Sequence, residues 1–200
     1  MSNIIKKQTS GNCRLCKTNT ETIHNILSNC PVLAKNQYIE RHNKIGKRIY
    51  KAILQSHNII LTNNNNKIDK IYEDENIKIY WDFPITTRKT IAANRPDLIY
   101  INKSNKTCTL FDFSLPWDTR INEKYGEKVS KYLPLASAMK YQMNLKSVTI
   151  QPIIVGCLGS FSNRMKTELQ NLHINITMEQ LQVTAIEESS KILRFVLNIE

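Results

Sequence analysis

Two aspartates interrupt apolar runs in the stretch NRPDLIYINKSNKTCTLFDFSLP, residues 94–116. Asp97 and Asp112 lie on either side of the polar segment NKSNKT, which favours a turn between two paired strands. With a turn centred between residues 104 and 105, the numbers of paired residues add to 209, so Asp97 lies opposite Asp112 on one face of the hairpin. Two carboxylates that close repel each other unless one is protonated or a cation lies between them. The spacing therefore predicts a divalent-metal site.

Phosphodiester chemistry fits that predicted site. Two carboxylates and water oxygens suit Mg²⁺, a hard cation that retains several waters, and we expect Mn²⁺ to be able to substitute. The ion would polarise a scissile phosphate and lower the pKa of an attacking water, while a lysine orients that water or neutralises developing charge. Lys124, Lys128 and Lys131 follow at helical spacing and would reach the aspartates if their helix packs on the hairpin. An exposed lysine row is the other interpretation of this pattern.

Four potential zinc ligands fall within eighteen residues near the N-terminus: Cys13, Cys16, His24 and Cys30. Their spacing, C-x2-C-x7-H-x5-C, offers a complete tetrahedral set with no open position for catalysis. We therefore expect a structural Zn²⁺ site, with scattered free thiols as the alternative. Five cysteines in a chain without an export signal argue against a disulfide framework. Cys108 and Cys157 lie in apolar segments and are predicted to be small buried hydrophobes.

Positive charge is concentrated in the N-terminal part of the chain. The formal net charge is +11, and residues 1–57 hold ten lysines or arginines against two acids. Such a segment favours binding to nucleic acid or to an anionic membrane, with a solvated charged surface as the alternative. No apolar run approaches the ~20 residues of a membrane span, and we find no signal peptide. Nucleic acid is therefore the expected partner and a membrane is not.

A basic helix is predicted to follow the zinc ligands, from residue 31 to about residue 57. Its apolar stripe includes Tyr38, Ile45 and Ile49 at helical spacing. Positive side chains on the other faces suit contact with a phosphate backbone: Arg41, Lys44, Lys47, Arg48 and Lys51. Arg95, next to the RPD motif, is assigned either to a phosphate contact or to the flank of a strand.

The remaining sequence predicts an α/β domain with a mixed sheet flanked by helices. Strands are expected at residues 77–81, on both sides of the hairpin turn and in SVTIQPIIVGCLGS, with a long helix before that last strand and two helices after it. The predicted organisation is a zinc knuckle at residues 1–32, a basic helix at 33–60, a polar linker at 61–76 and the α/β domain at 77–200.

Together these segments resemble a known family. The knuckle with CPVLAKNQYIERHN after it, then ANRPDLIYIN, FDFSLPWD, EKVSKYLPLA and IQPIIVGCLGS, resembles the C-terminal region of site-specific non-LTR retrotransposon polyproteins that carry a restriction-like endonuclease. The resemblance covers nearly the whole chain from Cys13 onward. Its most specific part is RPD, fourteen residues, D, and then K-x2-KY.

The resemblance implies a restriction-endonuclease-like, PD-(D/E)XK core. Asp97 matches the acid of the PD element and Asp112 the second acid. Lys128 is the matching lysine, with Lys131 as the alternative, because Ser114 stands where many members of the wider superfamily have a lysine. The tyrosine of the KY pair, Tyr132, is assigned to contact with nucleic acid.

The implied activity is a nick in target DNA for target-primed reverse transcription. The expected partners are double-stranded DNA and the element's RNA, with no small-molecule substrate, and the expected location is the nucleus. A remnant that keeps the fold and binds nucleic acid without cleaving it is the alternative function.

Overall fold

The computed structural model describes residues 11–59 and 68–198. Their architecture is α/β, with a five-stranded mixed sheet flanked by helices. Neighbouring strands run antiparallel from β1 to β4, and β5 lies parallel to β4 at the edge of the sheet. The strands, in their order across the sheet, are β1 Ile71–Glu73, β2 Ile77–Trp81, β3 Leu98–Asn102, β4 Thr107–Ser114 and β5 Ser147–Ile154.

Helices cover both faces of the sheet. One face packs against α1, α3 and α4 through a core that includes Ile49, Phe111 and Phe113. The other packs against α2 through a core that includes Leu110 and Leu135. The α-helices are α1 Gln37–Ser56, α2 Ile121–Gln142, α3 Asn163–Asn171 and α4 Met178–Leu197; short helical turns occupy Asn25–Asn29, Leu33–Lys35 and Asp118–Arg120.

The register of the central hairpin is the predicted one. Leu98 pairs with Phe111 and Asn102 with Thr107, so paired residue numbers add to 209. The side chain of Asn102 accepts the Asn105 N–H at 2.9 Å, a local bond that favours the turn. Because side chains alternate between the faces of a strand, Asp112 points to the same face as Leu110, which is the face that α2 covers.

Helix α1 is part of the main core. The predicted stripe residues Ile45 and Ile49 are fully buried, and the helix begins at Gln37, later than predicted, after the 3₁₀ turn. Gly46 lets it approach the sheet closely, since a Cβ there would come within 2.6 Å of Phe113 and Trp81. The helix therefore lies close enough for its side chains to reach the end of β4.

The prediction of a linker at residues 61–76 is wrong in its second half, because strand β1, Ile71–Glu73, lies there and pairs with β2. Residues 1–10 of the predicted knuckle segment and 60–67 of the helix and linker lie outside the described residues. Cys108 and Cys157 are buried, as predicted. Among the described helices, none has both the length and the apolar character needed to cross a bilayer.

Candidate functional site

The predicted acids and lysines meet in one cavity of about 360 Å³ at the end of the sheet. We call this cavity the acid–lysine cleft; its defining residues are Asp97, Asp112, Lys128 and Lys131. Asp112 comes from the second half of β4, Asp97 immediately precedes β3, and both lysines come from α2. The antiparallel register explains the meeting of the two acids, because one strand begins where its neighbour ends.

Asp112 is the buried acid of the cleft, with 2% of its surface exposed. Lys128 forms an ion pair with its Oδ1 atom, and the Lys131 Nζ atom lies 3.5 Å from Oδ2. Residues three apart on a helix lie on the same side, so both lysines can face the sheet. The buried Oδ1 atom of Asp112 therefore has a charged partner in Lys128. The predicted approach of the lysine row to Asp112 is thus observed, and both lysines take part.

Asp97 is held from two sides. Its Oδ2 atom accepts the Phe113 N–H at 2.7 Å and lies 3.0 Å from the Nε2 atom of His42. Burial alone would raise the pKa of Asp97, but the hydrogen bond and charge of His42, the Phe113 N–H and the charge of Lys128 hold it below its usual value. This carboxylate is therefore ionised in the folded protein at neutral pH.

His42 is a member of the cleft that the sequence analysis missed. Its Nδ1 atom lies 3.1 Å from the side-chain oxygen of Asn43, so both ring nitrogens face oxygen acceptors. Burial alone would lower the pKa of His42, but Asp97, Asn43 and Asp112 raise it. The sequence does contain a pattern that places His42 on the core-facing side of α1, because it falls between Tyr38 and Ile45 on the apolar stripe of that helix.

Arg41 does not lie on an exposed basic face of α1, which leaves little of it for the predicted contact with nucleic acid. It is 2% exposed, and its guanidinium donates to the Ser189 side chain at 3.0 Å and to the Leu27 carbonyl at 2.8 Å. Burial lowers its pKa. These bonds join α1 to α4 and to the cysteine-containing segment, which makes Arg41 a structural residue.

Tyr132 is also buried, with 1% of its surface exposed, which leaves little of it for the predicted contact with nucleic acid. Its hydroxyl donates to the Arg95 carbonyl at 3.2 Å, and the Lys131 Nζ atom lies 4.5 Å from its ring centroid. Burial, and then the nearby Asp112, raise its pKa well above the usual range. Tyr132 therefore forms a fixed wall of the cleft.

The other predicted nucleic-acid contacts are at the surface. Lys44, Arg48 and Lys51 are exposed on α1, although Arg48 also donates to the Thr184 side chain at 3.2 Å, and Lys47 is half-buried. Arg95 lines the cleft, and its guanidinium donates two 2.7 Å bonds to Asp82. The described part of α1 thus keeps a basic surface, narrower than the one predicted.

Three of the four predicted zinc ligands form a cluster in the N-terminal segment. The ligand atoms of Cys13, Cys16 and Cys30, which we call the thiol cluster, lie within 4.8 Å of one another. Side-chain and backbone hydrogen bonds from Thr18 and Asn19 lower the pKa of Cys16 to about 6. Thiolates bind zinc, so the thiol cluster could hold a metal such as zinc. For Cys30, in contrast, burial raises the pKa of the free thiol.

The fourth predicted ligand, His24, is outside the thiol cluster. Its Nε2 atom lies 3.2 Å from the side-chain nitrogen of Asn29, and its ring lies 4.8 Å from the Trp117 ring, measured between centroids. The complete four-ligand set predicted from the spacing is therefore not assembled. Packing of the imidazole on Trp117, which is distant in sequence, accounts for the difference.

Comparison with known proteins adds no identification, because no family model and no curated protein matches the chain. Function is therefore inferred from the geometry of the acid–lysine cleft and of the thiol cluster.

Proposed function

We propose that the chain is a Mg²⁺-dependent DNA endonuclease with a restriction-endonuclease-like core. The observation that carries this proposal is the meeting of Asp97, Asp112, Lys128 and Lys131 in one cleft. In the setting that its sequence resembles, the enzyme would nick nuclear target DNA for the reverse transcription of a non-LTR retrotransposon. The thiol cluster, with zinc, would stabilise the segment that leads into basic helix α1.

The donor atoms of the cleft fit a hard divalent cation. Asp112 offers a buried carboxylate, with Lys128 against its Oδ1 atom and the Lys131 Nζ atom 3.5 Å from its Oδ2 atom. Within the part of the chain that the structure describes, Asp97 uses its Oδ2 atom for both of its hydrogen bonds, which leaves Oδ1 for a ligand. Two carboxylates with several waters are typical of protein Mg²⁺ sites. When bound, the ion supplies charge to polarise the phosphate and activate a water.

The cationic side chains of the chain support the same chemistry. Lys128 and Lys131 place two positive charges beside Asp112, where they attract a phosphate and stabilise the negative charge that develops on its oxygens. The exposed cations Lys44 and Lys51 extend this attraction along α1. The net charge of +11 favours binding to a polyanion.

A second candidate function is nucleic-acid binding without cleavage. The specific observation in its favour is that each acid already has a cationic partner: Asp97 is paired with His42 and Asp112 with Lys128. Such pairs can hold the carboxylates as structural groups without a metal ion. The two functions differ in whether Mg²⁺ enters the cleft.

Nicking of supercoiled plasmid tests the primary proposal. Purified protein is assayed with Mg²⁺, with Mn²⁺ and with EDTA, alongside Asp97→Asn and Asp112→Asn. We expect metal-dependent nicking by the wild type and a loss of at least 100-fold in each variant, the order of magnitude for removal of a key electrostatic group.

Asp69→Asn is the matched control, because Asp69 is an exposed aspartate outside both cavities. Thermal unfolding of each variant shows whether a loss of nicking reflects a loss of fold. Salt-sensitive DNA binding with no nicking in either metal would reject the nuclease and favour the binding function.

A further inference from the structure

A second cavity, of about 460 Å³, adjoins the acid–lysine cleft. Tyr38, His42 and Asp97 line both cavities. The walls that belong to the second cavity alone are more apolar and include Ala34, Ile39 and Trp81. We call it the aromatic cleft. Its volume is in the usual range for ligand-binding cavities.

The aromatic side chains of this cleft are fixed in place. The Tyr38 hydroxyl donates to the Ile26 carbonyl at 2.7 Å and accepts the Cys30 N–H. The Trp81 ring packs edge-on against Tyr50, with 6.2 Å between centroids. Rings held by the surrounding fold lose little conformational entropy when a flat ligand packs against them.

The cleft also exposes apolar surface beside a charged site. Ile39 is 50% exposed although it is a large aliphatic residue. Asn43, one helical turn further along α1, and Asp82, which follows β2, add polar groups to the same cavity. Apolar walls with a few polar groups are typical of sites that bind a planar heterocycle.

We propose that the aromatic cleft binds one unpaired nucleobase next to the phosphate that the acid–lysine cleft binds. A nucleotide carries its base and its phosphate side by side, and the shared lining at Asp97 and His42 places the two cavities next to each other. This inference rests on the proposed function and narrows its substrate class. The preferred DNA has an unpaired or extruded nucleotide at the cleavage position, whereas a fully paired duplex leaves the aromatic cleft without a ligand.

Binding to two synthetic DNAs tests this inference separately from cleavage. One DNA is a matched duplex, and the other is the same duplex with one extra, unpaired 2-aminopurine nucleotide. Affinities are measured by fluorescence anisotropy without added Mg²⁺, and stacking is followed by quenching of the 2-aminopurine emission. We expect tighter binding of the bulged DNA, by about 5-fold to 150-fold, the range for one stacked base, together with quenching.

Ile39→Ser is the principal variant, because an exposed side chain can be changed without disturbing the core. We expect it to reduce the preference for bulged DNA and leave binding of the matched duplex unchanged. Val183→Ser is the matched control, since Val183 is an exposed aliphatic residue of α4. Trp81→Phe gives a second test that retains an aromatic ring and should weaken quenching.

The outcomes separate the two proposals. Equal affinity for both DNAs, or a preference that Ile39→Ser does not change, overturns the base-binding site even if plasmid nicking depends on Mg²⁺ and Asp112. A preference that Ile39→Ser removes, in a protein that nicks no DNA, supports the base-binding site and rejects the nuclease.

Discussion

The thiol cluster and the acid–lysine cleft both gather ionisable side chains, but they balance charge in different ways. In the acid–lysine cleft the protein supplies the positive charge itself, through Lys128 at Asp112 and His42 at Asp97. In the thiol cluster, Cys13 and Cys30 are buried with 3.9 Å between their sulfur atoms. Burial opposes the ionisation of Cys30, so a bound metal would be the source of positive charge there.

Under the proposed function, this difference would distinguish a structural metal ion from a catalytic one. If zinc supplies the compensating charge of the thiol cluster, the fold of that segment depends on the metal. Under the proposed function, the acid–lysine cleft would fold without Mg²⁺ and admit the ion with the substrate, because each of its carboxylates is already paired with a cationic side chain. The largest losses of stability are therefore expected at the thiol cluster, and the largest losses of activity at the acid–lysine cleft.

Cys13→Ser should give the largest loss of stability. We expect loss of bound zinc and a decrease of about 4–5 kcal/mol in the free energy of unfolding, since loss of a metal is among the few single changes with so large an effect. Zinc content by atomic spectroscopy and urea unfolding measure the two quantities. Cys108→Ala removes a buried thiol from β4 and should keep zinc. Full zinc content with unchanged stability in Cys13→Ser would contradict the metal assignment.

Lys128→Met should give the next largest loss of stability. It leaves the more distant Lys131 as the remaining lysine beside the buried Asp112, and breaking a buried ion pair typically costs about 3–5 kcal/mol. Added Mg²⁺ should recover part of this loss, because the ion replaces the missing charge and binds the folded state. Thermal unfolding with and without Mg²⁺ checks both effects.

Lys140→Met is the control for that measurement, since Lys140 is exposed on the same helix. An Mg²⁺ response of Lys128→Met no larger than that of the wild type would show that the ion does not bind beside Asp112.

Gly46→Ala tests the close approach of α1, which brings His42 into the cleft. The new methyl group would meet Phe113 and Trp81 at 2.6 Å, and overpacking of this kind costs about 1–3 kcal/mol. Gly126→Ala is the matched change on α2, where no described atom beyond the adjacent residues and the nearby helix backbone lies within 4 Å of the new Cβ, so it should stabilise the protein by up to about 1 kcal/mol. Thermal unfolding compares them, and equal effects of the two changes would refute a close contact at Gly46.

The hairpin and its acids were predictable because their signals are local. Alternation of side chains along a strand and a polar turn fix the register, and Asp112 then falls on the face that α2 covers. The apolar stripe of α1 was visible for the same reason. β1 was missed, since three residues beside an asparagine-rich segment carry too little pattern to indicate a strand.

The positions of Arg41, His42 and His24 could not be predicted from local sequence patterns. An arginine in a basic helix is ordinarily exposed, and the burial of Arg41 requires the Leu27 carbonyl and Ser189, a residue 148 positions away. The role of His42 depends on Asp97, 55 positions away. His24 has the spacing of a zinc ligand, but its position is decided by Trp117. These contacts exist only after the chain has folded.

The His42–Asp97 pair should give a smaller, pH-dependent effect. The pKa of His42 is raised in the folded protein, so its contribution to stability is complete below its usual value of 6.5 and is lost as the pH rises through the folded-state value. The pKa of Asp97 is lowered, so its contribution is present above 3.8 and is lost as the pH falls through the folded-state value. Unfolding measured from pH 6 to 9 without added Mg²⁺ should show a decline that is absent in His42→Gln. Parallel curves for the two proteins would contradict this ion pair.

His24→Ala should have the smallest effect of these changes. It tests whether zinc has the four ligands that the sequence spacing predicts or the three that the structure brings together. The thiol cluster is assembled without His24, so we expect the variant to keep more zinc, under competition with a chelator, than Cys13→Ser or Cys16→Ser. Loss of the exposed contact with Asn29 should change the unfolding temperature little. Loss of zinc equal to that of a cysteine variant would mean that the imidazole leaves Trp117 and completes a four-ligand site when the metal binds. The thiol cluster would then be preassembled by the fold only in part, and the metal would move its last ligand into place.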